Sequence, residues 1–211
     1  MTDNYQTTDA TIRQAIRSRL AASHAGEDAV IVDELKVSLG SGRLDVAVIN
    51  GRIDGYEIKS DRDTLDRLTR QSVMFGAVAD RMTLVVGQRH LQRSLGMVPD
   101  WWSVLLSTTA RDGSIRFKTI KRGRLNRSQD KIALIETLER DEIAAILAWA
   151  NLDRGFRSAN YKVLADRAAS SMSHDQIALS VKKMLKIRSR LAFDFGELAF
   201  GRSVIDCAVP S

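Results

Sequence analysis

The chain has 211 residues, 44% apolar and 27% charged, which is enough to bury one sizeable core or a core with a small satellite domain. Its formal net charge of +6 suits a polyanionic partner, and its single cysteine, Cys207, excludes an intrachain disulfide and fits a reducing compartment. No apolar run is long enough to span a bilayer, and the polar, acidic start MTDNYQTTDA is unlike a secretory signal, so a cytoplasmic protein without membrane association is expected.

The spacing predicts an amphipathic helix over residues 8–22. Ile12, Ile16 and Leu20 recur every four residues, Arg13, Arg17 and Arg19 lie off that stripe, and Thr8 or Asp9 can cap it. The arginines read as a solvated basic face or as phosphate contacts. Gly26 ends the segment and 30–39 reads as a strand. Within it Glu34 is a possible acidic site residue or a plain surface glutamate, while Asp33 points the other way.

Residues 42–60, GRLDVAVINGRIDGYEIKS, read as two strands joined at Asn50-Gly51. A buried hairpin should be apolar on both faces, yet Asp45, Glu57 and Lys59 are charged. Glu57 and Lys59, two apart, share a face. A two-residue turn would pair Asp45 with Tyr56 and send it to the opposite face. A three-residue loop, or a bulge at Gly55, sets Asp45 opposite Glu57 instead; the longer loop, with Ala47 opposite Gly55, is predicted. Two carboxylates about one ion apart can hold Mg²⁺, with Mn²⁺ as a substitute, and a neighbouring lysine can orient a metal-bound water. The same residues also suit a salt-bridged hairpin end.

The arrangement D-x(11)-E-x-K, carried by Asp45, Glu57, Ile58 and Lys59, resembles the PD-(D/E)XK nuclease superfamily. The string GYEIKSDRDTLDRL (55–68) is similar to an uncharacterised bacterial and phage family of that superfamily and to the MmcB-type DNA repair proteins. Leu44 stands where the name-giving motif has proline. The resemblance implies an αβββαβ core, a Mg²⁺-dependent phosphodiesterase acting on DNA, Asp45 and Glu57 as metal ligands, and Lys59 assisting the water. It also implies Glu34 as a third acidic ligand. Gln71 resembles the glutamine that follows the ExK strand in RecB-type nucleases, with Phe75 here in place of the tyrosine of that pattern.

After Lys59 a helix is predicted to start at once, with Ser60 as N-cap and Asp61 and Asp63 in its first turn. Leu65, Leu68, Ser72, Phe75 and Ala79 would form its inner stripe. Residues 82–86 read as a buried strand parallel to the one before the helix, 88–95 as a short surface helix, and 103–108 with 115–120 as a hairpin around Asp112-Gly113. Trp101 and Trp102 could stack nucleobases or simply pack.

Residues 111–127 carry seven basic side chains against the single acid Asp112 and read as a linker, solvated or tracking a phosphate backbone. Helices follow. One is capped by Ser128 or Asp130, one starts near Asp141, and one covers 160–170. A fourth opens with the capping box Ser173-x-x-Gln176 and places Lys182, Lys183, Lys186 and Arg188 largely outside. The last two suggest a helix-turn-helix or a plain bundle packed on the sheet. The three histidines are scattered, so a zinc site is not expected.

The expected protein is thus α+β, with a restriction-endonuclease-like αβββαβ core on a mixed sheet over 1–121 and a basic helical domain over 122–211. Its expected function is metal-dependent DNA cleavage, with basic surfaces at 111–127 and 182–190 holding the strand, in a possible homodimer. The alternatives are a nucleic-acid-binding module that does not cleave, or an adaptor for a protein partner.

Overall fold

The computed structural model describes residues 6–205, with the backbone alone from 193 onward. Cys207 lies outside the described residues, and so do residues 1–5 of the polar N-terminal start. The described elements form one mixed sheet with helices on it and a helical C-terminal region, as the sequence predicts. Helix α1 (Asp9–Ser23) precedes strands β1 (Val30–Val37), β2 (Gly42–Ile49) and β3 (Ile53–Lys59). Helix α2 (Leu68–Gly76) crosses to β4 (Arg81–Gly87), which completes the αβββαβ order. A short helix α3 (Leu91–Leu95) and the hairpin β5 (Ser103–Thr109) and β6 (Ile115–Lys121) follow.

Spatial order equals chain order, β1 to β6. The hairpin-linked pairs β1/β2, β2/β3 and β5/β6 are antiparallel, and the crossover-linked pairs β3/β4 and β4/β5 are parallel. The central strand β4 is buried on both faces, which explains why 82–86 reads as a nearly continuous apolar run, while β3 is equally buried but carries Glu57 and Lys59.

Two apolar clusters sandwich the sheet. On one face Ile12, Ile16 and Leu20 of α1 pack on Val46, Val48, Ile58 and Val85. A Thr8/Thr11 capping box fixes the start of that helix. On the other face Ala47, Ile49, Leu84 and Val86 join Phe75 and Trp102. The same cluster continues into α4 (Lys131–Ile135), α5 (Arg140–Trp149), α6 (Tyr161–Ser171) and α7 (His174–Ile205) through Leu134, Ile146, Leu164 and Val181. Asp130, Glu139 and Asn160 cap α4, α5 and α6. Ser173 and Gln176 exchange the two hydrogen bonds of the expected capping box. Helix α7 packs on α4, α5, β1 and β2, which is the bundle arrangement.

Three expectations change. No helix starts at Ser60. Its N–H and hydroxyl both donate to the Asp63 carboxylate and fold residues 60–67 into turns. Asp61 is turned inward and accepts from the N–H and hydroxyl of Thr7 and from the N–H of Arg89. Those bonds hold its carboxyl below the usual range although burial alone would raise it. A Cβ on Gly87 would stand 2.5 Å from Asp61 Oδ1, so glycine there admits the carboxylate.

Second, the basic face of α7 is not free. Lys182 pairs with Asp80 at 3.8 Å, Lys186 with Asp28 at 2.9 Å, and Arg188 with Glu142. Third, 122–130 is a strap tied to the sheet domain. Arg124 N–H donates to Trp101 O, and the Asn126 amide donates to Gly76 O and Ala79 O. The N–H of Asp130 donates to Ala77 O.

The strap predicts a test. A Cβ on Gly123 would lie 2.3 Å from Trp101 O and 2.5 Å from Ser103 N, both backbone atoms that cannot swing aside. Gly123→Ala is expected to cost about 2–3 kcal/mol in urea denaturation. An unchanged midpoint would show that the strap is not seated against Trp101.

Candidate functional site: an acidic cleft with an arginine bridge

The loop between β2 and β3 has three residues, Asn50 to Arg52, with Gly51 at φ +66°. It produces the predicted register: Ala47 pairs with Gly55, and continuing the ladder places Asp45 opposite Glu57. Gly55 suits this position because a Cβ would meet Met82 Sδ at 2.5 Å and Leu44 Cδ2 at 3.0 Å. The hairpin end opens into a cleft of about 400 Å³. Glu34, Asp45, Glu57, Lys59 and Gln71 all line it, so the structure gathers every residue singled out from the sequence.

Lys59 Nζ donates to Glu57 Oε1 at 2.5 Å, with both side chains nearly buried. Glu57 Oε2 is buried without a hydrogen-bond partner, and so is Gln71 Oε1. Burial, and after it the charge of Asp45, pushes the Glu57 carboxyl up to about 8 despite Lys59. Glu34 reaches the cleft through an unusual backbone, with φ +51° inside a strand. For a residue other than glycine this conformation costs about 1–3 kcal/mol, and it occurs here at the cleft.

Sequence reasoning missed the part of Arg13 in the cleft, having read it as a member of a solvated basic face or as a phosphate contact. Its guanidinium donates to Asp45 Oδ1 at 2.8 Å and to the Asp45 carbonyl at 2.7 Å. It also pairs with Glu34 at 3.0 Å and Asp9 at 3.1 Å. Its neighbour Ile12 is buried on the sheet, so the signal was its place at the border of the apolar stripe. Its pKa is raised: burial alone would lower it, but the bonds and charges of Asp9 and Asp45 outweigh that.

The donor set for a metal is therefore partly engaged. Asp45 Oδ2 accepts the Ile58 N–H at 2.7 Å while Oδ1 holds Arg13, and Glu34 is shared between Arg13 and Arg43. Among the described residues no group of three His, Cys, Asp or Glu side chains is arranged to hold a metal ion. Glu57 Oε2 is the orphaned oxygen a cation would meet first. Arg67 and Arg70, both exposed, stand at the rim of the same cleft.

The raised Glu57 carboxyl sets a pH dependence. The folded protein keeps a proton there that the unfolded chain releases near the ordinary carboxylate value. Stability is then expected to fall as pH rises from about 5 toward 8. Glu57→Gln, which mimics the protonated acid, should flatten that fall and raise the melting temperature at pH 8 by about 5 °C. Parallel thermal melts of the two proteins from pH 5 to 8 read it, and parallel curves would refute the buried proton.

Comparison with known proteins corrects the functional expectation. The family described as "Bacteriophage P4 protein cII" matches residues 3–194. "Protein cII" of Enterobacteria phage P4 is 31% identical over 120 residues, which cover 57% of this chain and 45% of that protein. The chain thus spans less than half the length of the curated relative it matches. No solved structure matches. The expectation of a metal-dependent nuclease is overturned by this match, because the family that covers nearly the whole chain is that of a phage protein cII and not of a nuclease. This chain belongs to the bacteriophage P4 protein cII family.

Proposed function

We propose that this protein is a regulatory DNA-binding protein, which holds its nucleic acid and thereby governs what else can reach it. The observation that carries this reading is a run of exposed basic side chains without ion-pair partners. Arg111, Arg116, Lys118, Arg122, Arg124 and Arg127 run along the β5–β6 hairpin and the strap, and all are exposed. None of them joins an ion pair among the described residues. Lys182 and Lys186 of α7, by contrast, are paired inside the fold with Asp80 and Asp28. Strand β6 is the sheet edge, where lysines and arginines also discourage edge-to-edge pairing. That role does not account for the arginines of the strap, which is not part of the edge strand.

The acidic cleft has a supporting part in this reading. Glu57 and Asp45 would take one divalent cation, Mg²⁺ or Mn²⁺, which would offset their charge and let a phosphate approach between Arg67 and Arg70. Arg13 would have to share Asp45 with the ion.

Fluorescence anisotropy with a labelled DNA duplex over a salt series tests the proposal. About four phosphate contacts predict a slope near −3 to −4 in log affinity against log salt. Arg116→Glu combined with Lys118→Glu should lower affinity about tenfold or more. The DNA should be recovered intact after incubation with Mg²⁺. Binding that ignores both salt and the charge reversal would sink the proposal.

A further inference from the structure

The two tryptophans that adjoin in sequence have separate fates. Trp102 is fully buried in the core. Trp101 is half-buried and lines an open groove of about 690 Å³ between the end of α2 and the strap. The two rings meet edge to face, with centroids 5.9 Å apart and planes at 66°.

The groove has a definite chemistry. Val73, 73% exposed, and Leu125, 42% exposed, give it apolar walls. Trp101 is held as a fixed platform. A Cβ on Gly76 would lie 3.4 Å from its ring, and its carbonyl accepts the Arg124 N–H at 2.9 Å. Arg124 and Arg127 supply two exposed cations among the groove's lining residues. An indole with a fixed ring, apolar flanks and neighbouring guanidinium groups complements a flat aromatic base whose backbone carries phosphates.

We infer that the Trp101 groove binds unpaired nucleotides, so that this protein engages single-stranded nucleic acid as well as a duplex backbone. The inference rests on the proposed DNA binding and names the strand state read there. In a duplex both faces of a base are stacked on its neighbours, so Trp101 has no face to meet; an unpaired base offers one. Helix α2 lies between this groove and the acidic cleft. Arg67 and Arg70 line the cleft, and Val73 and Gly76 line the groove, so one strand crossing α2 would touch both. The arginines of the groove continue the basic surface of β6 along the strap, which favours a polyanion over an apolar peptide as the occupant.

The experiment measures affinity for a short oligothymidylate and for a duplex of equal length in the full chain, followed also by Trp fluorescence in a Trp149→Phe background. The expected result is quenching by oligothymidylate. Trp101→Ala should lose about tenfold or more of single-strand affinity, with duplex affinity unchanged and Trp101→Phe retaining most of the binding. Arg124→Ala with Arg127→Ala, both surface changes, should weaken single-strand binding without altering the melting temperature. Salt-sensitive DNA binding that is indifferent to Trp101→Ala would overturn this inference and leave the DNA-binding reading standing. Absence of binding to any nucleic acid would overturn both, and capture of an acidic peptide by the groove instead would replace the nucleotide with a protein partner.

Discussion

Everything at the cleft depends on how three carboxylates are held close together. Asp9, Glu34 and Asp45 converge on the Arg13 guanidinium, and Glu57 lies beyond them with Lys59 against one oxygen. Like charges at this spacing repel strongly in a half-buried site, and one planar cation with five donors can satisfy several carboxylates at once. Arg13 therefore does more than pair charges. It ties α1, β1 and β2 to one point, beside the apolar contacts that α1 makes with the sheet. Glu57, deeper than the others, is eased by taking up a proton.

The same cleft shows why a short motif is a weak guide to activity. Asp45, Glu57 and Lys59 are brought together as the sequence predicts, yet the family that the whole chain matches is the phage P4 cII family. A hairpin end with two carboxylates and an ammonium is a local solution to burying charge, and different functions can be grafted on one fold. What distinguishes this chain is the distribution of the rest of its charge. Lys182, Lys186 and Arg188 of α7 are paired with Asp80, Asp28 and Glu142, and Arg116 and Lys118 of β6 and the arginines of the strap are left exposed.

Some of this was legible residue by residue. The β2–β3 register was legible from the side-chain period of two, since a two-residue turn would separate Asp45 from Glu57 and a three-residue loop puts them together. Capping acts over three residues or fewer: Ser173 was read as a cap, Thr8 and Asp130 were each one of two candidates, and Asn160, read as the first residue of its helix, is its cap. Ser60 misled because a serine followed by acids is a good N-cap locally. Its neighbour Asp61 was claimed instead by Thr7, 54 residues away, and by Arg89, 28 residues away. Lys186 was read as exposed because its partner Asp28 is 158 residues distant.

By itself, then, the sequence determined what depends on short spacing: strand and helix order, the hairpin register, the capping box at Ser173 and the excess of positive charge. Only the tertiary structure decided which charges are spent inside the fold and which remain outside. It buried Trp102 and left Trp101 half-open, tied the basic strap to the sheet, and set Arg13 among the carboxylates. The physical reason is one of range. Backbone periodicity and capping act between near neighbours, whereas burial and ion pairing are settled between residues that meet only when the chain is folded.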